Sequence, residues 1–316
     1  MSTLRHRIAG LPGVPAARRA LGVAPPRRPR PADYHRPIRE PADSCSVIRD
    51  VLRRGEPALI ARMGGFELEC LMHHRRARRR LPRRPYPEHT VRVMGTNAGY
   101  FPVSDETLDA FVPVYLDAIS AVDVMGVWFN IGEELVVRKV CPRAELVPLW
   151  CIEPYYHELP WSCELEGRRV LVVHPMTESI TAQYARRELL FPESPDVLPP
   201  FELLLLPAVQ SAAGEQPPFR DWFAALASMK AAMDELDYEV CIIGAGAYGL
   251  PLAAHAKRRG RVAVHMGGAT QILFGIKGRR WDEHAEISRL YNDAWVRPRP
   301  CEVPRDAAAV EGGCYW

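Results

Sequence analysis

One pattern recurs along this chain of 316 residues and limits its fold more than any other feature. A short apolar run is followed by a break rich in glycine or polar residues, and then by the spacing of a helix. Such runs predict strands at residues 58–62, 122–129, 170–174, 240–243 and 262–265. Because the runs are continuously apolar and separated by helices, they predict a mostly parallel sheet with helices on both faces. We therefore expect an α/β, Rossmann-like fold, in a single domain with extensions.

The glycine-rich breaks fall at the carboxyl ends of the predicted strands, where parallel sheets bind their ligands. Gly244, Gly246 and Gly249 fit the GxGxxG pattern between a strand and a helix. This pattern binds diphosphates at a helix N-terminus, but it also occurs where a strand packs closely on a helix. His265 ends the next strand, where a dinucleotide site has an acidic residue. Three alternatives stay open for this turn: NAD(P) or FAD, another nucleotide diphosphate, and close packing alone.

Two further strand ends carry candidate site residues. After the first strand, Gly64 and Gly65 allow a ligand to approach the backbone, and Glu67 follows in the first helical turn. Glu67 either faces the same crevice or only offsets the helix dipole. After the third strand, residues 177–179 (Thr-Glu-Ser) offer two hydroxyls and a carboxylate. The hydroxyls either contact a ligand or cap the helix, and the carboxylate is a candidate general base.

The net charge of +3 hides two basic segments. Residues 1–40 carry nine arginines against two acidic residues, and residues 75–84 carry seven arginines and no acidic residue. The remaining 276 residues after residue 40 hold 32 basic and 36 acidic side chains. The chain is therefore not basic throughout, and no specific nucleic-acid partner is expected. The basic tail suggests contact with an anionic membrane surface, and the second segment is either an anion-binding or a solvated surface.

Composition divides the chain into three parts. Residues 1–45 are rich in proline and arginine and lack apolar periodicity, which predicts a disordered or extended tail. Residues 46–290 form the expected α/β domain, and residues 291–316 are expected to pack on it as a C-terminal extension. The chain has no run of eighteen apolar residues, and its first 20 residues lack the apolar stretch of a secretory signal. Its eight scattered cysteines form no CxxC motif, so we expect a cytoplasmic protein, peripheral at the inner face of the membrane through its tail.

Four stretches, in this order, resemble the GT-D type of glycosyltransferase family and cover the chain after the tail. Residues 58–67 are similar to the family's first strand and turn, and residues 161–183 to its tryptophan-to-strand segment. Residues 243–268 are similar to its glycine turn, helix and closing strand. Residues 271–281 and 311–316 resemble a bacterial branch associated with surface polysaccharide synthesis. The resemblance implies a GT-D type fold and a glycosyltransferase activity.

The implied reaction moves a sugar from a nucleotide-diphosphate donor to a hydroxyl of a glycan, lipid-linked or protein acceptor, in bacterial polysaccharide or glycoconjugate synthesis. On this hypothesis the catalytic residues are Glu67 and, as the base for the acceptor hydroxyl, Glu178. The donor-binding residues are Arg62, Gly64, Gly65, Thr177, Ser179, Gly244, Gly246, Gly249 and His265. The acceptor or sugar pocket is formed by Gly267, Gly268, Arg280 and Trp281.

The chain departs from the family at its metal site. The family's Asp-x-Glu pair engages the donor through a divalent ion, and the corresponding residues here are Gly65, Phe66 and Glu67. Only Glu67 is left as a ligand for Mn²⁺ or Mg²⁺, unless the donor phosphates complete the shell. Without a metal, Arg62 and the turn at residues 244–249 would stabilise the departing diphosphate.

Two other functions remain as alternatives. One is an NAD(P)- or FAD-dependent oxidoreductase that uses the turn at residues 244–249. The other is a non-enzymatic protein that binds nucleic acid or a membrane surface through its arginine segments.

Overall fold

A computed structural model describes residues 27–77 and 84–316. Its centre is one sheet of seven strands, which are β1 Ala58–Arg62, β2 Val124–Val127, β3 Glu145–Pro148, β4 Arg169–His174, β5 Glu202–Pro207, β6 Val240–Ile243 and β7 Val262–His265. The strands lie in the order β3-β2-β1-β7-β6-β4-β5, and all neighbours are parallel. The expected Rossmann-like parallel sheet is confirmed.

Helices cover both faces of this sheet, as the apolar runs predict. Successive side chains of a strand point to opposite faces of the sheet. In β1, Leu59 packs against the helices on one face, and Ile60 packs against the helices on the other face. Phe111 and Trp222 belong to the first layer, and Ile48 belongs to the second. The helices in the described residues are α1 Pro41–Arg54, α2 Gly65–Ala77, α3 Glu88–Thr96, α4 Asp105–Ser120, α5 Glu133–Val140, α6 Thr177–Tyr184, α7 Trp222–Asp234, α8 Gly249–Arg258, α9 Thr270–Leu273 and α10 Arg279–Asp282.

The register of the central strands brings three strand ends side by side. Arg62, the last residue of β1, is paired with Gly126 of β2. Ala61 is paired on the other side with His265, the last residue of β7. The turns that leave β1, β2 and β7 therefore start at the same edge of the sheet, where a parallel sheet places its ligand crevice.

The N-terminal segment differs from the expected tail over its described part. Residues 1–26 lie outside the described residues, but Tyr34 is buried and α1 already begins at Pro41. Ile38 forms a parallel β-bridge to Leu146 of β3. The expectation of extended or disordered structure up to residue 45 is therefore wrong from Pro41 onward, where α1 replaces it. One buried aromatic ring and the bridge to β3 order a segment whose composition alone suggests disorder.

The C-terminal residues lie against the domain. Trp295 is 4% exposed and donates its indole N–H to the carbonyl of Leu190 at 2.9 Å. Val310 and Cys314 pack with Ala213 in a small separate apolar cluster. In the second arginine segment, residues 78–83 lie outside the described residues. No helix in the described part of the chain has the length and apolar content needed to cross a membrane.

Candidate functional site at the carboxyl ends of β1, β2 and β7

Arg62 is the centre of the site. Its guanidinium lies over the ring of Trp128, 4.2 Å from the ring centroid, and one Nη donates to the carbonyl of Met63 at 3.3 Å. Its Nε is buried and has no hydrogen-bond partner. Gly267, at φ +64°, leaves space for the guanidinium, because a Cβ there would lie 3.2 Å from Nη1. Within the described residues Arg62 forms no ion pair, so its half-buried positive charge at this edge of the sheet is not bonded to a carboxylate.

Glu67 lies beside this cation in the first turn of α2. Its side chain is folded against Gly64, where a Cβ would be only 1.8 Å from the carboxylate Oε2. The Gly64 N–H donates to the hydroxyl of Tyr115 at 3.1 Å. Glu67 is 6% exposed, and this burial raises the pKa of its carboxyl above the ordinary value, against the opposing effects of its own backbone N–H and the Arg62 charge. Gly64 is therefore required by the position of Glu67.

The loop after β2 closes one side of the site. Its residue Asn130 has a buried side-chain nitrogen without a partner, 3.8 Å from the position of a Cβ at Gly65. Glu133 holds the loop, because its Oε2 accepts the backbone N–H groups of Trp128 at 2.9 Å and Asn130 at 3.3 Å, and the hydroxyl of Tyr34 at 2.7 Å. The ring that holds Arg62 is thus fixed by a buried carboxylate.

Glu153 forms a further wall, which sequence reasoning missed. The 3-10 turn that follows β3 lies on Gly126, where a Cβ would be 2.4 Å from Cδ1 of Ile152. Gly126 is the residue paired with Arg62. Glu153 comes directly after this turn and accepts a hydrogen bond from the Tyr155 hydroxyl at 2.6 Å. Burial raises the pKa of Glu153 to about 7, although the Tyr155 hydroxyl and the Arg62 charge lower it.

His265 ends β7 and is neutral in this environment. Its Nδ1 lies 3.1 Å from the carbonyl oxygen of Arg62, and since a carbonyl only accepts, Nδ1 carries the hydrogen. Burial and the nearby Arg62 charge lower the pKa of His265 to about 3. A Cβ at Gly249 would lie 2.4 Å from the imidazole Nε2. Gly249 therefore provides space for this ring.

The glycine turn after β6 is filled by the protein itself. A Cβ at Gly244 would lie 2.6 Å from the carbonyl oxygen of Gly267. A Cβ at Gly246, which has φ +50°, would lie 2.7 Å from the carbonyl oxygen of Ala98, and the same oxygen accepts the N–H of Ala247 at 2.9 Å. These contacts favour close packing over a diphosphate at this turn.

The N-terminus of α6 is also occupied by a protein group. Thr177 begins the helix, and the backbone N–H groups of Glu178 and Ser179 donate to Oε1 of Glu302 at 2.8 and 3.1 Å. The Ser179 hydroxyl donates to the other carboxylate oxygen. The carboxylate of Glu178 is exposed and lies 3.5 Å from Arg299. Glu178 and Ser179 therefore contact the C-terminal extension, and no hydrogen bond or ion pair joins them to Arg62.

The expected acceptor pocket contains a C-terminal side chain. A Cβ at Gly268 would lie 2.3 Å from the ring of Tyr315. The guanidinium of Arg280 lies 4.8 Å from the centroid of the same ring and pairs with Glu311. Trp281 is 6% exposed and its ring centroid is 6.1 Å from that of Tyr315. Arg280 and Trp281 thus pack around Tyr315.

A divalent metal ion fits poorly with the residues present. Within the described ranges, no group of three or more His, Cys, Asp or Glu side chains is arranged to hold a metal ion. Glu67 offers one carboxyl whose raised pKa favours its neutral form, and the Arg62 cation lies nearby. Neither feature suits a site for Mn²⁺ or Mg²⁺, which prefer several ionised oxygen ligands. We therefore assign no step to a metal.

Most of the predicted residues fall into two groups. Those around the crevice at the ends of β1 and β7 are Arg62, Gly64, Gly65, Glu67, His265 and Gly267. Those whose neighbouring space is taken by protein groups are Ser179, Gly244, Gly246, Gly249 and Gly268. The crevice gains Trp128, Asn130 and Glu153, whose positions depend on contacts between distant parts of the chain.

Comparison with known proteins gives little further guidance. No protein-family model matches the chain, and no curated protein matches it in sequence. One similar solved structure is a selenomethionine-substituted domain of unknown function 1792, with 8% identity and a TM-score of 0.41 over 73% of this chain and 83% of that one. Another is of the same domain, described as having a distinct glycosyltransferase fold, with 10% identity and a TM-score of 0.39 over 72% and 82%. A likeness at this level assigns no activity and no residue role.

Proposed function

We propose that the protein is a glycosyltransferase that moves a sugar from a nucleotide-diphosphate donor to a hydroxyl acceptor. The observation that carries this proposal is the cation of Arg62, which is half-buried at the carboxyl edge of the sheet with no carboxylate partner among the described residues. Holding an uncompensated charge away from water is unfavourable, so such a site favours an anionic ligand. A guanidinium fork binds carboxylate and phosphate oxygens through paired N–H donors, so a phosphate suits this site.

The surroundings of Arg62 suit a diphosphate. Gly65 lines the crevice without a side chain, and a Cβ there would meet only the Asn130 side-chain nitrogen at 3.8 Å, so a ligand can lie close to the backbone at this position. The N-terminus of α2, a helix of 13 residues, begins at Gly65 and favours negative charge. The Asn130 side-chain nitrogen is a buried donor without a partner beside this helix end. Together these groups supply the donors that a diphosphate requires.

Arg62 acts when the donor bond breaks. As the bond between the anomeric carbon and the diphosphate oxygen lengthens, negative charge grows on that oxygen. A fixed, half-buried cation stabilises this charge without reorganising, and Trp128 holds the guanidinium in position through a cation–π contact. Glu67, which is buried beside Arg62 in the first turn of α2, positions the donor through hydrogen bonds of its carboxyl group.

The wider setting of this reaction is part of the same proposal. The resemblance supports bacterial polysaccharide or glycoconjugate synthesis, with a glycan, lipid-linked or protein acceptor. The arginines of residues 1–40 support a cytoplasmic location at an anionic membrane surface. The oxidoreductase alternative is weaker, because the glycine turn holds the carbonyl of Ala98 and a neutral His265 stands at the ribose-binding position.

Donor binding tests the proposal directly. UDP-, GDP- and dTDP-linked sugars are added to the wild-type protein, with and without Mn²⁺, and the melting temperature is recorded. A donor at a hundred times its Kd adds about 2.7 kcal/mol to the free energy of unfolding. Arg62→Ala is expected to abolish this stabilisation, whereas Arg138→Ala, at an exposed position of α5, leaves it unchanged. Failure of every donor, or equal donor binding by Arg62→Ala, contradicts the proposal.

A further inference from the structure

The segment after β3 carries a carboxyl and an exposed aromatic ring on one side of a turn. Leu149–Ile152 forms a 3-10 turn, and the N–H of Glu153 donates to the carbonyl of Trp150 at 3.1 Å. Side chains three residues apart in such a turn project to the same side. Trp150 and Glu153 therefore start from the same side of the turn.

This turn is fixed at the site by two contacts. The absence of a side chain at Gly126 lets Ile152 lie directly on β2, next to the strand position paired with Arg62. The indole N–H of Trp161 donates to the carbonyl of Ile152 at 2.8 Å. Glu153 is thereby held on the Arg62 side of the sheet edge, close enough for the Arg62 charge to lower its pKa.

The ring of Trp150 is a preorganised surface. It stacks on the ring of His157 with a centroid distance of 5.3 Å and an interplanar angle of 16°, and Tyr156 contacts it edge-on at 6.4 Å. Even so, 36% of Trp150 remains exposed, which is unusual for so large an apolar side chain. The His157 Nε2 is buried without a partner. A rigid aromatic face with nearby polar groups binds the apolar C–H face of a sugar ring at a small entropic cost.

We propose that Glu153 is the base that takes the proton of the acceptor hydroxyl, and that Trp150 holds a sugar ring of a glycan acceptor beside it. This inference rests on the proposed transferase function and deepens it by naming the acceptor class and the base. It replaces the expected role of Glu178, whose carboxylate is exposed and paired with Arg299.

The step balances as a direct displacement. The acceptor oxygen forms its bond to the anomeric carbon of the donor sugar while the bond from that carbon to the diphosphate oxygen breaks. The acceptor proton passes to a carboxylate oxygen of Glu153. The electron pair of the broken bond leaves with the diphosphate, and the charge of Arg62 balances it.

The electrostatic environment of Glu153 suits a base near neutral pH. Burial raises its pKa to about 7, and the charged or titratable groups that face it are Arg62 of β1 and the hydroxyls of Tyr155 and Tyr156. A carboxyl with this pKa is half ionised near neutrality and binds a proton more strongly than an ordinary glutamate. The transfer rate is therefore expected to fall as the pH is lowered through about 7.

The test separates chemistry from binding. Release of nucleoside diphosphate is measured with the donor that stabilises the wild-type protein, and with methyl hexosides, lactose and cellobiose as acceptor probes. Glu153→Gln is expected to lower kcat at least a hundredfold, to leave the melting shift with donor unchanged, and to lose the decline in rate below pH 7. Glu158→Gln, an exposed glutamate in the same segment, serves as the matched control and keeps the wild-type rate.

The aromatic surface has its own test. Trp150→Ala is expected to raise the acceptor KM about tenfold with little change in kcat or in donor binding, and Trp150→Phe restores most of the loss. Leu189→Ala removes an apolar side chain that is 57% exposed and lies outside the site, and it is the control. If Trp150→Ala weakens binding of the nucleoside diphosphate instead, the ring holds the nucleobase and the acceptor assignment is overturned.

The two proposals fail in distinguishable ways. If the wild-type protein binds no donor, the transferase function fails and the role of Glu153 falls with it. If the donor binds through Arg62 and is turned over, but Glu153→Gln transfers within threefold of the wild-type rate, only the role of Glu153 is overturned. Infrared difference spectra of wild-type protein and Glu153→Gln add a readout without turnover, since the missing carboxyl band must titrate near pH 7.

Discussion

The carboxylate of Glu302 joins the C-terminal extension to the N-terminus of α6. It accepts the backbone N–H groups of Glu178 and Ser179, the Ser179 hydroxyl, and the N–H of Arg299 at 3.2 Å. It also brings a negative charge to a helix N-terminus, where the helix dipole favours it. Glu302→Ala removes the shared acceptor of all four donors, and we expect a clear loss of stability.

The magnitude follows from which donors water can reach. Ser179 is 1% exposed, so its N–H and hydroxyl are left without a partner, and each buried unsatisfied donor costs about 1–3 kcal/mol. The lost charge at the helix end adds about 0.3–1 kcal/mol. The N–H groups of Glu178 and Arg299 lie at exposed positions, where water replaces the carboxylate. Allowing for relaxation of Ser179, we expect Glu302→Ala to lower the free energy of unfolding by about 3 kcal/mol.

Urea unfolding measures this loss as a shift in the midpoint at an unchanged m value. Glu302→Gln keeps one oxygen for the N–H groups of Glu178 and Ser179 but puts an NH2 group in place of the oxygen that accepts from the Ser179 hydroxyl and Arg299, so we expect a smaller loss than for Glu302→Ala, about 1–2 kcal/mol. Glu283→Ala removes an exposed glutamate and is expected to have no effect. If Glu302→Ala lowers the free energy of unfolding no more than Glu283→Ala does, the reasoning is refuted. Tighter donor binding by Glu302→Ala would instead identify this helix end as a phosphate site that Glu302 occupies.

Three further variants test the geometry of the site. Gly126→Ala is expected to lower the free energy of unfolding by about 1–3 kcal/mol, because its Cβ would meet Ile152. Adding Ile152→Ala to the same chain should restore part of this loss. If Gly126→Ala leaves the free energy of unfolding unchanged, the packing of Ile152 on Gly126 is contradicted. Tyr34→Phe removes the hydroxyl that Glu133 accepts, and urea unfolding should show a loss of about 1–3 kcal/mol. The raised pKa of Glu153 means that the folded state binds this proton more tightly than the unfolded state, so its contribution is fully present below pH 4.5 and is lost as the pH rises through about 7. Between pH 4.5 and a pH well above 7, this group lowers the free energy of unfolding by about 3 kcal/mol in all. Glu153→Gln should remove this pH dependence from the unfolding curves.

The sequence predicts the central strands of the sheet better than its two edge strands, β3 and β5. β1, β6 and β7 have the bounds expected from their apolar runs, because each is buried on both faces and has a glycine within two residues after its end. β3 was missed, since only its two middle residues are buried. β5 was missed because its run of leucines suits a helix as well as a strand, and prolines border this run. Proline in a strand is found mainly at the edge of a sheet, which is where β5 lies.

The site is predictable in position but not in its members. The rule for parallel sheets places ligands at the strand ends, and Arg62 and Gly267 meet there. The glycine motif does not reveal that its space is taken by Ala98 and His265, which come from other parts of the chain. The role of Glu153 depends equally on a long-range contact, because its turn lies against Gly126 of another strand. Local patterns cannot specify such contacts.

The bridge between Ile38 and Leu146 has a consequence for how copies of this chain behave toward one another. β3 is the outermost strand on its side, and the N-terminal segment covers it, with the N–H of Arg39 donating to the Leu146 carbonyl at 2.8 Å. An uncovered outer strand pairs readily with another strand and promotes aggregation. A chain shortened to begin at Pro41 would expose this backbone, and light scattering should then show self-association that rises with protein concentration. We therefore expect Ile38 and Arg39 to prevent self-association through β3, while Tyr34 holds Glu133 in the site.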